Sequence, residues 1–276
     1  MSILREVQQE KHVTTRRCSR VLGQRRNSLY YKYKAKVDNK EVREKLLELS
    51  RQYPSWGFGL LFDKIRLLGN RWNRKRVYRQ YKKLNLHLRK PKKRPKIKRA
   101  NPNILAAGKV NQGWSLDFLS DDVVAENKAR ILNVMDEFSR KCLMADAKKD
   151  YKAKQLVTAL ENLVATYGKP EYIRCDNGPE LVSNKMAQFC KKQGIEIRFT
   201  QPGKPMQNGL VERLNGTIRT ECLNPKVFTT INQIQAELDE WWRIYNFERP
   251  HSALKGKTPQ QIWLNQEELY LKMAAA

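Results

Sequence analysis

The sequence predicts an α/β fold, a mixed five-stranded sheet flanked by helices, preceded by a small all-helical region of helix-turn-helix shape. Three observations predict it. From residue 111 onward, short apolar runs of strand length alternate with longer amphipathic stretches. Before residue 90, apolar residues recur at helical spacing instead. Charge divides near the same place: residues 1–110 carry 32 Lys+Arg against 7 Asp+Glu, a net of +25, and residues 111–276 carry 23 against 21, a net of +2. So lopsided a surplus points to a polyanionic partner, nucleic acid first.

Residues 1–50 form a basic helical region. In "CSRVLGQRRNSLYYK" a short helix, a turn at Gly23 and a second basic stretch make a partial helix-turn-helix shape, and "DNKEVREKLLELSRQY" places Val42, Leu46 and Leu49 on one helical stripe. Residues 51–90 repeat the design. "LLFDKIRLL" is apolar at Leu60, Leu61, Ile65 and Leu68, Gly69-Asn70 breaks it, and Asn73 can cap a second helix, "RKRVYRQYKKL". Val77, Tyr81 and Leu84 form its inner stripe. Arg74, Lys75, Arg76, Arg79, Lys82 and Lys83 decorate its outside, as a helix entering a DNA groove requires, though a plain helical hairpin with a charged face has the same pattern. Residues 91–110 are a basic, proline-interrupted linker, in which Lys92, Lys93 and Arg94 are expected to meet phosphate backbone.

Residues 111–270 form the α/β domain. "GWSLDFLS" is a strand with a turn expected at Asp121-Asp122; "RILNVMDEFS" and "KCLMADAKK" continue an antiparallel meander. "DYKAKQLVTALENLVATYG" is an amphipathic helix with Asp150 as its expected cap, a stripe of Leu156, Leu160, Leu163, Val164 and Tyr167, and a stop at Gly168. Then come a strand, "EYIRCD", a helix, "NKMAQFCKKQG", and a strand, "IEIRFT". A polar loop, "QPGKPMQNG", leads to helix "LVERLNGTIRTECL", and a final long helix is expected to open with a capping box, Thr230 with Gln233. This order is that of a ribonuclease-H-like fold, which alone does not give function.

Membrane, secreted and zinc-binding classes are not expected. The apolar runs are too short for a membrane span, and "MSILREVQQEKH" lacks the apolar core of a secretion signal. Five scattered cysteines without a C-x-x-C pair suit free thiols in a reducing compartment and argue against zinc.

Three acids stand out: Asp117 in mid-strand, Asp176 at the end of the fourth strand, and Glu212 on the helix after the polar loop. Singly, each is more often a surface residue or turn punctuation. Together, on neighbouring strand ends and a packed helix, they make a carboxylate cluster that a hard divalent ion such as Mg²⁺ would neutralise. Two such ions can activate an attacking oxygen and stabilise a leaving one in phosphodiester chemistry.

From Trp114 to Pro259 the chain resembles the DDE transposases of bacterial insertion sequences, in particular the large family whose transposase arises by fusing two overlapping reading frames. The stretches "WSLDF", "VMDEFSR", "CDNGPELVS", "QPGKPMQNGLVERLNGTIRTECL" and "YNFERPHSALKGKTP" carry the resemblance. Thirty-five residues separate Asp176 from Glu212, the D,D(35)E spacing shared with retroviral integrases. "WGFGLLFDKIRLLGNRWNRKRVYRQYKKLNLHLRK" looks like the family's second-frame helix-turn-helix. The resemblance implies an integrase-like core in which Asp117 bridges two Mg²⁺ ions, Mn²⁺ substituting, while Asp176 and Glu212 each bind one. It implies cleavage and joining of DNA strands at element ends by a copy-out, paste-in route.

By the same resemblance, Arg219, seven residues after Glu212, would reach the same DNA from one helix face. Asn177 and Gly178 would turn the chain beside the metal, and Asn177, Gln207 and Asn208 would contact the DNA end. Expected partners are terminal inverted repeats, target DNA, a second copy of the chain on DNA and the first-frame product, in a bacterial cytoplasm at the nucleoid. The family's upstream helix-turn-helix and zipper have no counterpart here, so the chain is expected to be a second-frame product or part of a longer protein. His251 and the aromatics Trp241, Trp242, Tyr245 and Trp263 are expected to be structural. Two alternatives stand beside this: a ribonuclease-H-type nuclease, which would want a catalytic Glu on the first long helix, where Glu161 lies, and a non-catalytic DNA-binding relative.

Overall fold

The computed structural model describes residues 14–21, 23, 25, 39–88, 107–201 and 205–265. Two compact units divide the chain, residues 1–41 and 42–276. In the first, helix α1 (Thr15–Val21) is followed by Gly23 at φ +61°, the turn expected there. The basic stretch after it, and the linker with Lys92, Lys93 and Arg94, lie outside the described residues.

Helices α2 (Lys40–Gln52), α3 (Phe58–Leu67) and α4 (Arg74–Lys83) share one apolar interior. Val42, Leu46 and Leu49 of α2 are buried against Leu61, Phe62 and Ile65 of α3 and Val77 and Tyr81 of α4. Leu68 of the expected α3 stripe is instead exposed, because the helix ends at Leu67 and Gly69, at φ +88°, turns the chain. Asn73 caps α4 as expected, its side chain accepting the Lys75 N–H at 2.8 Å.

In the α/β domain, strands β1 (Gly113–Val123), β2 (Asn127–Asp136) and β3 (Cys142–Lys148) form an antiparallel meander. Strands β4 (Tyr172–Cys175) and β5 (Glu196–Phe199) add in parallel beside β1, giving the order β3-β2-β1-β4-β5. The crossovers are helices α5 (Ala153–Tyr167) and α6 (Asn184–Gln193). On one sheet face Trp114, Leu116, Leu132, Val134 and Ile173 pack with Leu156 and Leu160 of α5 and Met186 and Phe189 of α6. On the other, Leu119, Ile131 and Met135 pack with Val211, Leu214 and Ile218 of α7 (Gly209–Ile218) and Ile234 and Leu238 of α8 (Ile231–Arg243). Gly113 is what lets β4 approach, since a Cβ there would sit 2.1 Å from the Tyr172 ring.

Three local readings are corrected. The turn expected at Asp121-Asp122 falls later: β1 continues to Val123, pairing Asp121 with Ala129 and Asp122 with Lys128. The reversal uses residues 124–126 and Asn127, at φ +64°, while the Val124 and Ala125 N–H groups bond to Phe228 and Thr229 carbonyls. Asp150 is not the cap of α5, because Tyr151 is drawn into the core and hydrogen-bonds Asp146, so the helix starts only at Ala153. Gln155 accepts the Lys152 N–H there instead. At α8, Thr230 accepts the Gln233 N–H at 3.3 Å, but the Gln233 side chain returns to Thr229 rather than Thr230.

Candidate active site on the sheet

Side-chain alternation decides which acids can meet. Odd-numbered residues of β1 and β2 face α7, as Leu119, Ile131 and Met135 do. Asp117 and Asn133 belong to that set and stand opposite each other across the β1–β2 ladder. On β4, Ile173 and Cys175 pack on the opposite face, so Arg174 and Asp176 share the face of Asp117. The parallel register pairs Ser115 with Arg174. Asp117 lies two residues further along β1 and Asp176 just past the end of β4, and the Asp176 charge acts on Asp117.

The third acid comes from α7. The Asn215 side chain donates to Asp117 Oδ2 at 2.8 Å, and Glu212 lies three residues before Asn215 on the same helix face. Asp117 Oδ1 accepts the Phe118 N–H at 2.8 Å. Burial pushes the Asp117 carboxyl up to about 6; the Phe118 N–H pulls against that, and the charges of Asp176 and Glu212 add to it. Glu161 is exposed on α5 and is not among the charges acting on Asp117. Asp176 and Glu212 are exposed. Among the described residues, no three His, Cys, Asp or Glu side chains stand at metal-holding range in this arrangement.

The loop after Asp176 is held in place. The Gly178 N–H donates to Asp176 Oδ1 at 3.2 Å, and a Cβ at position 178 would sit 3.2 Å from that oxygen, so a glycine keeps the carboxylate free. Asn177 is exposed and donates to the Thr200 carbonyl at 3.0 Å, joining the ends of β4 and β5. Glu180 pairs with Arg130 of β2, whose guanidinium lies 4.1 Å over the Phe118 ring.

The other candidates are distributed differently. Gln207 accepts the Gln201 N–H at 2.8 Å and closes the loop before α7. Asn208 is only 4 % exposed and donates to the Leu116 carbonyl at 3.0 Å, so it pins α7 to β1 from inside rather than facing DNA. Arg219, just past the end of α7, turns back on β1, bonding the Ser120 carbonyl at 2.5 Å and Asp121 at 3.4 Å. Arg74, Lys75, Arg79, Lys82 and Lys83 are exposed along α4 and Arg76 is half-buried, away from the Val77 and Tyr81 side that meets the helical core. Arg74 also stacks on Phe58 and Phe62, at 5.2 and 5.1 Å.

His251 is structural. It is largely enclosed, bonds to the Tyr245 backbone and meets the Tyr245 ring edge-on at 4.8 Å. Burial, with Arg249 nearby, lowers its pKa to about 3, so it is neutral at working pH and unfit as a base. Trp241, Tyr245 and Trp263 are buried, and the Trp242 N–H donates to the Cys142 carbonyl at 2.6 Å.

Two polar networks escaped the sequence. In one, Asn133 donates to Asn215 at 2.7 Å and Asn215 to Asp117, a line from sheet to acid. In the other, buried Glu137 accepts from Ser115 at 2.5 Å, Tyr172 at 2.7 Å and Arg174 at 2.7 Å. Burial alone would raise the Glu137 pKa, but those bonds outweigh it and hold the carboxyl below its ordinary range. The one signal available for Asn215 was its i+3 spacing from Glu212.

Two overlapping family models, each an integrase core domain, match residues 107–205 and 193–259. An insertion element IS407 protein of Burkholderia multivorans is 31% identical over 95% of this chain and 94% of its own length. An insertion element IS476 protein of Xanthomonas euvesicatoria is 29% identical over 95% of this chain and 76% of its own. Among solved structures, a chain of the simian T-cell lymphotropic virus intasome, in complex with PP2A regulatory subunit B56 gamma, superposes with a TM-score of 0.52 at 21% identity, covering 73% of each chain, a likeness of fold. With a sheet of this order under the acids and an insertion-element relative aligned nearly end to end, the chain belongs to the integrase-core transposases of bacterial insertion elements.

Proposed function

We propose that the chain is a DDE polynucleotidyl transferase that cleaves DNA at the ends of its element and joins the freed 3′-hydroxyl to a new phosphodiester. What supports this is that the charges of Asp176, just past β4, and Glu212, on the helix bonded to Asp117 through Asn215, both act on Asp117 of the neighbouring strand. Glu212 rather than Glu161 acting on Asp117 favours strand transfer over the ribonuclease-H-type alternative.

The donor set fits a hard divalent cation. All three groups are oxygen ligands, and burial, with the charges of Asp176 and Glu212, raises the Asp117 pKa to about 6, an unfavourable ionisation that a cation relieves. Asp176 and Glu212 are both exposed, and side-chain rotation would have to bring them closer to hold an ion. Asp117 would serve two ions and Asp176 and Glu212 one each. Mg²⁺, or Mn²⁺ in its place, would supply activation of the attacking oxygen and charge stabilisation at the leaving one. The protein's own part is positioning. Asn215 and the Phe118 N–H fix the Asp117 carboxylate, the Gly178 N–H holds that of Asp176, and Asn208 seats the helix of Glu212 on β1. Helix α4 and the linker would hold the DNA by its backbone, in a dimer or larger assembly that brings two ends together, in trans with a first-frame product.

The test is a strand-joining assay with purified chain, Mg²⁺ or Mn²⁺, and labelled duplexes carrying the ends of its own element. Joined product disappears in Asp117→Asn, Asp176→Asn and Glu212→Gln while DNA binding persists. Joining that survives all three substitutions sinks the reading.

A further inference from the structure

The hairpin between β2 and β3 carries an arginine in an unusual state. Arg140 sits at φ +64°, a left-handed conformation uncommon outside glycine, in a turn locked by Asp136 bonds to Ser139. Its guanidinium forms no ion pair among the described residues, and its Nη1 is buried without a hydrogen-bond partner. Burial disfavours its charge and lowers its pKa. Glu137, an acid whose field reaches it, is already engaged by Arg174, Ser115 and Tyr172. Such a cation lacks its anion.

Arg140 lines two cavities, of about 660 and 350 Å³. The wall of the larger continues through Gln207, Gly209 and Leu210, the entrance to the helix that bears Glu212. Opposite stand Lys255 and Lys257, both exposed and both without an ion pair among the described residues. Lys255 is itself left-handed, at φ +55°. Three cations from two separate turns thus line one cavity, whose wall also holds Glu137, its charge met by Arg174, and the start of the helix that bears Glu212.

We infer that Arg140, Lys255 and Lys257 form a seat for a backbone phosphate of the DNA strand that runs into the active site. The cavity admits a phosphodiester with its sugar, and the guanidinium nitrogens other than the buried Nη1 would donate to its free oxygens. A strand held there has its next linkages directed along α7 toward Glu212. The seat rests on the strand-transfer reading for its ligand, but not for its charge.

The experiment measures binding of the full chain in an Asp117→Asn background, by fluorescence anisotropy over a range of salt concentrations, with element-end duplexes. Arg140→Gln is expected to weaken binding on the order of tenfold and to lower the salt slope by about 1, with Arg140→Lys recovering part of the loss. Duplexes bearing a single neutral methylphosphonate are scanned in parallel. At one position the parent loses as much as Arg140→Gln does, and the variant loses nothing more. Equal affinity and slope for parent and Arg140→Gln at every salt concentration overturn the seat. Should Arg140→Gln fail to fold, Lys255→Gln/Lys257→Gln decides: unchanged binding overturns the proposal, and loss at the same methylphosphonate position supports it. Joining by the chain with Asp117 intact is scored separately, so joining with Arg140-independent binding removes the seat alone, and Arg140-dependent binding without joining removes the strand-transfer reading alone.

Discussion

The helical region of α2 to α4 and the sheet domain bury different things. In the helical region the interior is apolar, with Gln80 its one buried polar residue among those described, and the basic side chains of α4 point outward. The sheet domain encloses Ser115, Asn133, Glu137, Arg174, Asn208 and Asn215 on the face or edge that carries the acids, and also Asp136, Ser139, Lys141, Asn246 and Thr258. A surface that holds a polyanion needs only charge on a stable support. A site that places carboxylates to within a fraction of an ångström needs bonded polar groups behind them. On the proposed function, chemistry is thus written inside one region and DNA binding on the outside of the other.

The sharpest way to break this contrast is to empty each interior. Arg174→Ala leaves Glu137, whose side chain is 2 % exposed, buried without its counter-charge, and should cost about 3–5 kcal/mol. Leu46→Ala in the helical core should cost about 2–5 kcal/mol by cavity formation. Urea denaturation measures both. The costs are alike, but the consequences for function separate. At temperatures where both variants stay folded, Arg174→Ala should slow strand joining from bound complexes, and Leu46→Ala should act only on DNA affinity. Equal slowing by both would show that the regions are not separate in this way.

A smaller effect tests whether the acid site is held against its own stability. The folded pKa of Asp117, about 6, stands above the ordinary carboxylate value of 3.8. Across that window the folded chain binds more protons than the unfolded one, so stability falls as pH rises from about 4 to about 6. Asp117→Asn removes the charge. Its amide can be accommodated because Asn215 and Asn133 can both flip, Asn133 Oδ1 having no partner at present. Without divalent metal, the variant should therefore match its parent near pH 4 and exceed it by about 2 kcal/mol at pH 7. Added Mg²⁺ should recover stability for the parent alone. A parent as stable as the variant at pH 7 in chelator would mean that the three acids do not oppose one another.

The same contrast explains what was legible in the sequence. Stripes such as Val42/Leu46/Leu49 and Leu156/Leu160/Leu163 announce their helices because burial follows a period. Asp176 and Glu212 could be singled out because their loop and helix settings lie close by in sequence. Bonds such as Asn133 to Asn215, 82 residues apart, and Arg174 to Glu137, 37 apart, leave no periodic trace, since only the assembled sheet brings the partners together. Asp121-Asp122 looked like a turn because local propensity favours one. The ladder to Lys128 and Ala129 and the bond to Arg219 overrode it. The Asn208 side chain looked available because its loop is polar, yet the start of α7 packs it under β1.

The smallest effect asks whether one piece of local chemistry does the same work in both regions. Asn73 caps α4 and Ser183 caps α6, each by accepting a backbone N–H, at 2.8 and 3.3 Å. Replacing either by Ala should cost about 1 kcal/mol. Helix α6 lies on the sheet face opposite the acids, packed through Met186 and Phe189, so Ser183→Ala should change stability and nothing else. Helix α4 bears the exposed Arg79, Lys82 and Lys83, whose spacing depends on its first turn being closed. Asn73→Ala should therefore weaken DNA binding severalfold at equal stability loss, most visibly at low salt, where the phosphate term is largest. Equal binding by the two variants would detach α4 from the DNA and leave the linker and the Arg140 seat to account for the chain's affinity.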